Sequence, residues 1–421
     1  MQDLAIDKNI AGVRPKIKEY RLYQALVIKI LSGMNKGRLV MHLPNGEKLL
    51  FGNSNESINA EIKINNFEFF KKCVLYGDIG FGEAYMDGDW DSENITDVIS
   101  WMILNIENSP AISGSKKRFS PVSFLKIINK LSNKLNENTL SGSSRNISAH
   151  YDLNNKFFEF FLDRSMTYSS GIFSGNNNSL EYAQAYKYER LCTKLNIKES
   201  DKILEIGSGW GGFAIYAARK YGCRITTVTI SKEQYEYANK RIEEENLSDK
   251  IEIKLLDYRQ IEGRFDKIVS IEMLEAVGHK YLRKFFKKCS RLLTDKGTLG
   301  LQVITCPDSR YDSFRKGVDW IQKHIFPGSL LPSIAEINKS VNATGEMYLH
   351  DLKNFGLDYA RTLSIWRKNF NDNLNKVFSL GFDNKFARKW NYYFSYCEAA
   401  FKMRNINVVQ MIYTKPNNLN L

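Results

Sequence analysis

Long apolar runs are missing from these 421 residues. No stretch approaches the ~18 uninterrupted apolar residues of a membrane-spanning helix. The opening segment MQDLAIDKNIAGVRPK has no apolar core of the signal-peptide kind, which predicts a cytoplasmic address. Cysteines are few and scattered (Cys73, Cys192, Cys223, Cys289, Cys306, Cys397), with no CxxC pair. That spacing argues against a zinc site and against a disulfide framework. Only five histidines occur, widely spaced, so no His-rich metal centre is expected. No fixed-period repeat is present. Acid is in deficit: 60 Lys and Arg against 47 Asp and Glu leave a net charge of +13. Such a balance favours an anionic partner, whether nucleic acid, a membrane surface or an acidic substrate.

What is present is ordinary for a globular chain of two or three domains: 43% hydrophobic and 25% charged residues. Aromatics reach 13%, enough to line an apolar pocket or simply to fill a core. Residues 1–108 read as a small α+β domain. Within it, Leu39–Phe51 forms two strands joined through Pro44-Asn45-Gly46, a hairpin signal. Residues 60–65 alternate as another strand, and glycines at 77, 80, 82 and 88 predict a loop-rich surface. Residues 109–148 read as a linker holding a basic amphipathic helix, 116–134, with Lys126, Lys130 and Lys134 on one face. A helix of this kind suits either anionic lipid or a neighbouring domain.

From residue 149 onward a third region follows, and after residue 200 its rhythm is strand, helix, strand. Alternation of this kind builds a mostly parallel α/β sheet covered on both faces. Residues 306–405 read as a largely helical insertion over the site, and Val408–Thr414 as a last strand. Gly207, Gly209 and Gly212 form a GxGxxG pattern directly after the strand 202–206 and before a helix, the context that makes this motif informative. A dinucleotide site needs an acid about 20 residues after the first glycine, but Thr227, Val228 and Thr229 stand there. Glu205-x-Gly-x-Gly instead resembles motif I of the class I methyltransferases, which implies S-adenosylmethionine.

The chain resembles the cyclopropane-fatty-acid synthases, enzymes of membrane phospholipids. The resemblance rests on His150-Tyr-Asp-Leu-Asn-Asn-Lys-Phe-Phe158, Met166-Thr-Tyr-Ser-Ser-Gly-Ile-Phe173, the glycine loop, Thr229–Gln234, Asp257-Tyr-Arg259, Ser270–Gly278, Ile325–Gly328, Phe355–Tyr359 and Gly82–Trp90. It implies a Rossmann-like class I methyltransferase sheet with a helical insertion, preceded by a small α+β lipid-binding domain. The cofactor's methionine end would lie by Tyr168, Ser169, Gly207 and Gly209, next to Glu205. Its ribose would lie by Thr229 and Gln234, and its adenine by Asp257, Tyr258 and Arg259. The family also binds bicarbonate, whose ligands match Ser170, Glu275, Gln302, Ile304 and Tyr359. Two positions depart from the family pattern, Ser170 for its usual Cys and Gln302 for its His, and Leu274-Glu-Ala276 replaces Phe-Glu-His. These resemble a subgroup that includes plant-type enzymes and fatty-acid C-methyltransferases.

The resemblance implies attack of a cis double bond on a sulfonium methyl, then loss of a proton as a ring closes. Alignment of reactants supplies ~7–11 kcal/mol in such a site, and a dry pocket protects the cation from water. Aromatic faces add ~0.5–2 kcal/mol each, with Tyr359 a candidate and Phe173 and Trp320 more simply read as core. Glu275 is the expected anchor of the bicarbonate base. A methyl-branched or methylene product keeps the same first step. Nucleic-acid methylation is disfavoured, since the (D/N)PP(Y/F) segment and the Pro-Cys dipeptide are both missing. The expected partner is an anionic phospholipid membrane at its inner face, with a homodimer as the implied assembly.

Overall fold

A computed structural model describes residues 13–53, 58–105, 154–345 and 347–419. The basic helix expected at 116–134 and the segment from His150 to 153 lie outside the described residues. Two compact units emerge, and residues 384–399 group with the N-terminal one.

In the first unit, β1 (Arg38–His42) and β2 (Lys48–Gly52) form the expected antiparallel hairpin. β1 also pairs in parallel with β3 (Asn59–Ile64), whose strict alternation turns Ala60, Ile62 and Ile64 inward. The two-residue β4 (Trp90–Asp91) completes the sheet in the order β2-β1-β3-β4. The glycines misled the loop-rich reading of 77–88. Residues Glu68–Met86 are helical, bent only at Gly77, where φ is 61° and ψ −131°. Gly80 lies inside that bend because nothing larger fits: an added Cβ would stand 2.1 Å from the Lys72 carbonyl oxygen.

Residues 384–399, read from sequence as part of the lid, belong here for a polar reason. Arg388 donates to the carbonyls of Tyr85 at 2.5 Å and Trp90 at 2.8 Å, and pairs with Asp91 at 2.7 Å. The Tyr392 ring stands 5.9 Å from that of Tyr85.

The second unit carries a seven-stranded sheet. Its strands are β5 (Lys202–Ile206), β6 (Arg224–Thr229), β7 (Ile251–Leu255), β8 (Phe265–Ile271), β9 (Leu293–Thr305), β10 (Tyr348–Asn354) and β11 (Asn407–Thr414), in the order β10-β11-β9-β8-β5-β6-β7. β5 to β9 run parallel, and β11 is antiparallel to both its neighbours. The parallel strands are apolar on both faces because helices cover both. Phe213 and Ala217 of helix Gly212–Tyr221 pack in one buried cluster with Ile203 and Ile225. Phe285 and Cys289 of helix Leu282–Leu292 pack in another with Val303 and Met411. The order reverses at β5, and in such sheets ligands bind beyond the carboxyl ends of the strands at that switch point.

β10 is the one strand the lid reading missed. Its sequence, YLHDLKN, is polar and mostly exposed, so it lacks the apolar run of a core strand. It holds the edge through Asp351, which pairs with Arg190 at 2.5 Å and Lys194 at 2.9 Å.

Gly80→Ala should lower stability by ~2–3 kcal/mol, the scale of an overpacked interior, read as a lower midpoint in urea denaturation. An unchanged midpoint would mean that the Lys72 turn yields freely.

Candidate active site

The glycine loop leaves β5 with its backbone in the left-handed region: φ is 97° at Gly207 and 50° at Gly209. The Gly207 and Ser208 amides both donate to the Val228 carbonyl at 3.0 Å, tying the loop to β6. At Gly207 an added Cβ would meet the Met273 side chain at 3.2 Å, whereas at Gly209 it would meet nothing within 4 Å. Open space therefore lies over the Gly209 backbone, ahead of the N-terminus of helix Gly212–Tyr221. These are the conditions for close approach of a charged ligand. The short helix Asn155–Glu159 clasps the loop, with Asn155 accepting from Trp210 Nε1 at 2.7 Å and Phe158 packed on the Trp210 ring at 4.9 Å. Asn154 caps that helix by accepting from the Lys156 amide.

The expected cofactor residues gather at the carboxyl ends of β5 to β7. Thr229 ends β6 and donates to Gln234 Oε1 at 2.9 Å, while accepting from the Ser231 amide. Past β7, Asp257 is clamped by Arg259, whose Nε and Nη2 donate at 2.8 and 2.6 Å. The Tyr258 ring packs edge-on against Phe285. Tyr168 sits among Phe158, Phe161, Phe326 and Trp366, the last at 5.3 Å. Ser169 accepts from the Lys187 amine through its hydroxyl and from Gln184 through its carbonyl. The buried Glu205 carboxylate accepts from Thr227 Oγ1 of the neighbouring strand at 2.6 Å. Burial pushes its pKa up to about 8.

At the end of β8 the structure brings together Ser170, Gln302 and Tyr359, all named from sequence. They meet on a residue to which the sequence reading had given no role, Glu272. Its Oε1 accepts from the Ser170 amide at 2.9 Å and from Gln302 Nε2 at 2.8 Å, and its Oε2 accepts from the Tyr359 hydroxyl at 2.7 Å. Glu272 has φ of 50°, a region that costs a residue with a Cβ about 1 kcal/mol or more. Lys187 is fully buried; burial pulls its amine down to about 7, opposed by the negative charge of Glu272 and Asp163. Gln410 of β11 donates to Gln302 Oε1 at 3.1 Å and so sets the Gln302 amide with its nitrogen towards Glu272.

Glu275 stands apart from that cluster. Its Oε1 accepts from the Ile304 amide at 2.5 Å, and its Oε2 is buried without a partner. Burial, then the nearby charge of Glu272, pushes its pKa up to about 8. Burial also raises the pKa of Glu272, opposed by the charge of Lys187 and by its three donors. The face of Phe173 is covered by the Arg361 guanidinium at 4.1 Å, and Trp320 is wholly buried beside His324. Both serve as packing. The signal that could have found Glu272 was its place: a second acid three residues before Glu275, at the site end of a parallel strand.

Residues 139–411 match the family model for mycolic acid cyclopropane synthetase. The chain belongs to this family. It is 35% identical over 353 residues to the tuberculostearic acid methyltransferase UfaA1 of Mycobacterium tuberculosis, covering 81% of this chain and 79% of that one. It is 33% identical to the cyclopropane-fatty-acyl-phospholipid synthase of Escherichia coli, covering 86% and 89%. Among solved structures, the mycolic acid cyclopropane synthase CmaA1 complexed with SAH and CTAB is similar at a TM-score of 0.60 and 28% identity, over 65% of this chain and 98% of that one. The chain is thus an S-adenosylmethionine-dependent lipid methyltransferase of class I fold. The open backbone at Gly209 and the residues ending β5 to β7 fit that cofactor.

The raised pKa of Glu205 carries a stability consequence. The folded state keeps its proton up to about pH 8, whereas the unfolded chain releases it near ~4.3. Its contribution is therefore full below ~4.3 and falls as pH rises towards 8. Glu205→Gln, which fixes the neutral form, should gain stability relative to the parent as pH goes from 5 to 8.5. Denaturation curves at both ends check this; a difference independent of pH would contradict it.

Proposed function

We propose that this enzyme methylates the cis double bond of unsaturated acyl chains in membrane phospholipids and closes a cyclopropane ring. The observation that carries the reading is the pair of buried carboxylates, Glu272 and Glu275, beside the glycine loop and next to an aromatic cluster. An alkene is a weak nucleophile, and the cation formed on methyl transfer must be kept from water. Rings of Phe158, Phe161, Tyr168 and Trp366 pack within 6.1 Å of one another in successive pairs and supply the dry wall. The buried carboxylates supply groups that could accept the departing proton.

Bound S-adenosylmethionine supplies the electrophilic methyl. The backbone of Gly207 and Gly209, with Tyr168 and Ser169, would hold its methionine end. Thr229 occupies the carbonyl end of Gln234, so the amide nitrogen of Gln234 is the group offered to a ribose hydroxyl. Arg259 fixes Asp257 and packs over Tyr258, 5.7 Å from its ring, which shapes the adenine side. Among the described residues no helix is long and apolar enough to cross a membrane. A lipid substrate would then be met at a membrane surface, and the basic run 116–134 suits the inner, anionic face. The family relationship to a tuberculostearic acid methyltransferase favours a methyl-branched product as the second reading.

Incubating the full chain with methyl-labelled cofactor and vesicles of dioleoyl phosphatidylglycerol should place label in the lipid. Proton NMR of the product should show the upfield ring methylene. A new branched or vinylidene signal instead would assign the second reading, and label entering RNA but not lipid would reject both. Replacing Lys126, Lys130 and Lys134 with Gln should weaken vesicle binding most at low salt, where surface charge is least screened. Binding that stays unchanged in a vesicle co-sedimentation assay would reduce 116–134 to a spacer.

A further inference from the structure

The resemblance assigns bicarbonate as the base, held by Ser170, Glu275, Gln302, Ile304 and Tyr359. Those residues do not fit that ion here. The Ser170 amide, the Gln302 amide and the Tyr359 hydroxyl all donate to Glu272, and the Ile304 amide donates to Glu275. Each donor that would hold a small oxyanion already holds a carboxylate of the chain.

We propose that Glu272 is the built-in general base of this enzyme, its carboxylate taking the place of an external bicarbonate. The inference rests on the proposed lipid reaction and deepens it. Three features support it. The three donors come from three separate elements (the 168–171 loop, β9 and helix Gly356–Asp372) and converge on one side chain. The backbone at Glu272 is left-handed, a conformation that favours glycine, so the glutamate is kept at a conformational cost. Its neighbour Met273 touches the Gly207 position, which sets Glu272 beside the turn where the methyl donor binds.

The step balances without further reactants. The alkene π pair forms a bond to the methyl carbon as the carbon–sulfur bond breaks, its electrons remaining on sulfur. One alkene carbon becomes cationic. A Glu272 oxygen takes a proton from the added methyl, and the released C–H pair bonds to the cationic carbon, closing the ring. Glu272 leaves the step as the neutral acid and returns its proton to solvent before the next turnover. Glu275 accepts from a single amide, whereas Glu272 accepts from three donors, so Glu272 is the member of the pair whose charge the surroundings hold. Lys187 lies buried nearby as a positive counterpart.

The test begins with the parent protein in carbon-dioxide-free buffer. Its turnover should not change when bicarbonate is restored, and carbon-13 NMR with labelled bicarbonate should show no bound ion. Glu272→Gln should cut kcat by at least ~100-fold, the scale of a lost general base, while cofactor affinity by calorimetry stays within a few-fold. Glu272→Gly relieves the left-handed strain and frees the three donors. It should bind labelled bicarbonate and recover part of the lost turnover when the ion is added. Parent turnover that rises with bicarbonate, a bound ion in the parent, or full activity of Glu272→Gln would each overturn the assignment. If the parent transferred no methyl to any lipid, the proposed function would fall instead, and the NMR comparison of parent with Glu272→Gly would still decide whether the side chain fills the anion site.

Discussion

A carboxylate removed from water must find donors or keep a proton, and the architecture around β8 depends on how Glu272 meets that demand. Its three donors are spread from residue 170 to residue 359. The sheet brings Gln302 to Glu272 by placing β9 beside β8, helix Gly356–Asp372 brings Tyr359, and the 168–171 loop brings the Ser170 amide. β11 then contributes Gln410, which orients Gln302, and Arg190 donates to Gln410 Oε1 at 2.9 Å while also holding Asp351 of β10. The polar edge of the sheet is thus linked by successive side chains to the centre of the site.

The second constraint is the closeness of two acids. Glu272 and Glu275 are both buried; burial raises the pKa of each, and the charge of Glu272 raises that of Glu275 further. Two like charges in a low-dielectric site do not ionise together, so their environments divide the roles. Three donors and a buried amine favour charge on Glu272; one backbone amide leaves Glu275 neutral. A single proton shared unequally in this way yields one base and one potential donor from two identical side chains.

The sheet was legible in the sequence because parallel strands covered on both faces are short β-branched runs, and β5, β6, β8 and β9 carry them plainly. β10 was not, since an edge strand held by Asp351 has no apolar period to detect. Gly80 and Gly82 read as loop because glycine in sequence reports freedom, while at Gly80 the structure uses the missing Cβ for close approach. In the site, Ser170, Gln302 and Tyr359 were identified through motif resemblance, and they do meet. Glu272 was invisible to that reasoning because its role exists only through contacts with residues 102, 30 and 87 positions away, Ser170, Gln302 and Tyr359. At Glu205 the motif marks the position, and the structure adds the hydrogen bond from Thr227 that the sequence does not announce.

The two departures at 170 and 302 become a single arrangement once Glu272 is considered. The contribution of Ser170 is its backbone amide, and its hydroxyl is spent on the Gly171 carbonyl at 2.9 Å, so exchanging thiol for hydroxyl costs the carboxylate nothing. Position 302 needs more. Its side chain must accept from Gln410 while donating to both Glu272 and the Ser170 carbonyl. A primary amide does this with one oxygen and two hydrogens on one nitrogen. A neutral imidazole has a single N–H, and it would have to gain a proton to donate twice, leaving nothing to accept from Gln410. Glutamine at 302 therefore suits a site whose anion is a fixed side chain, held in one orientation by neutral donors.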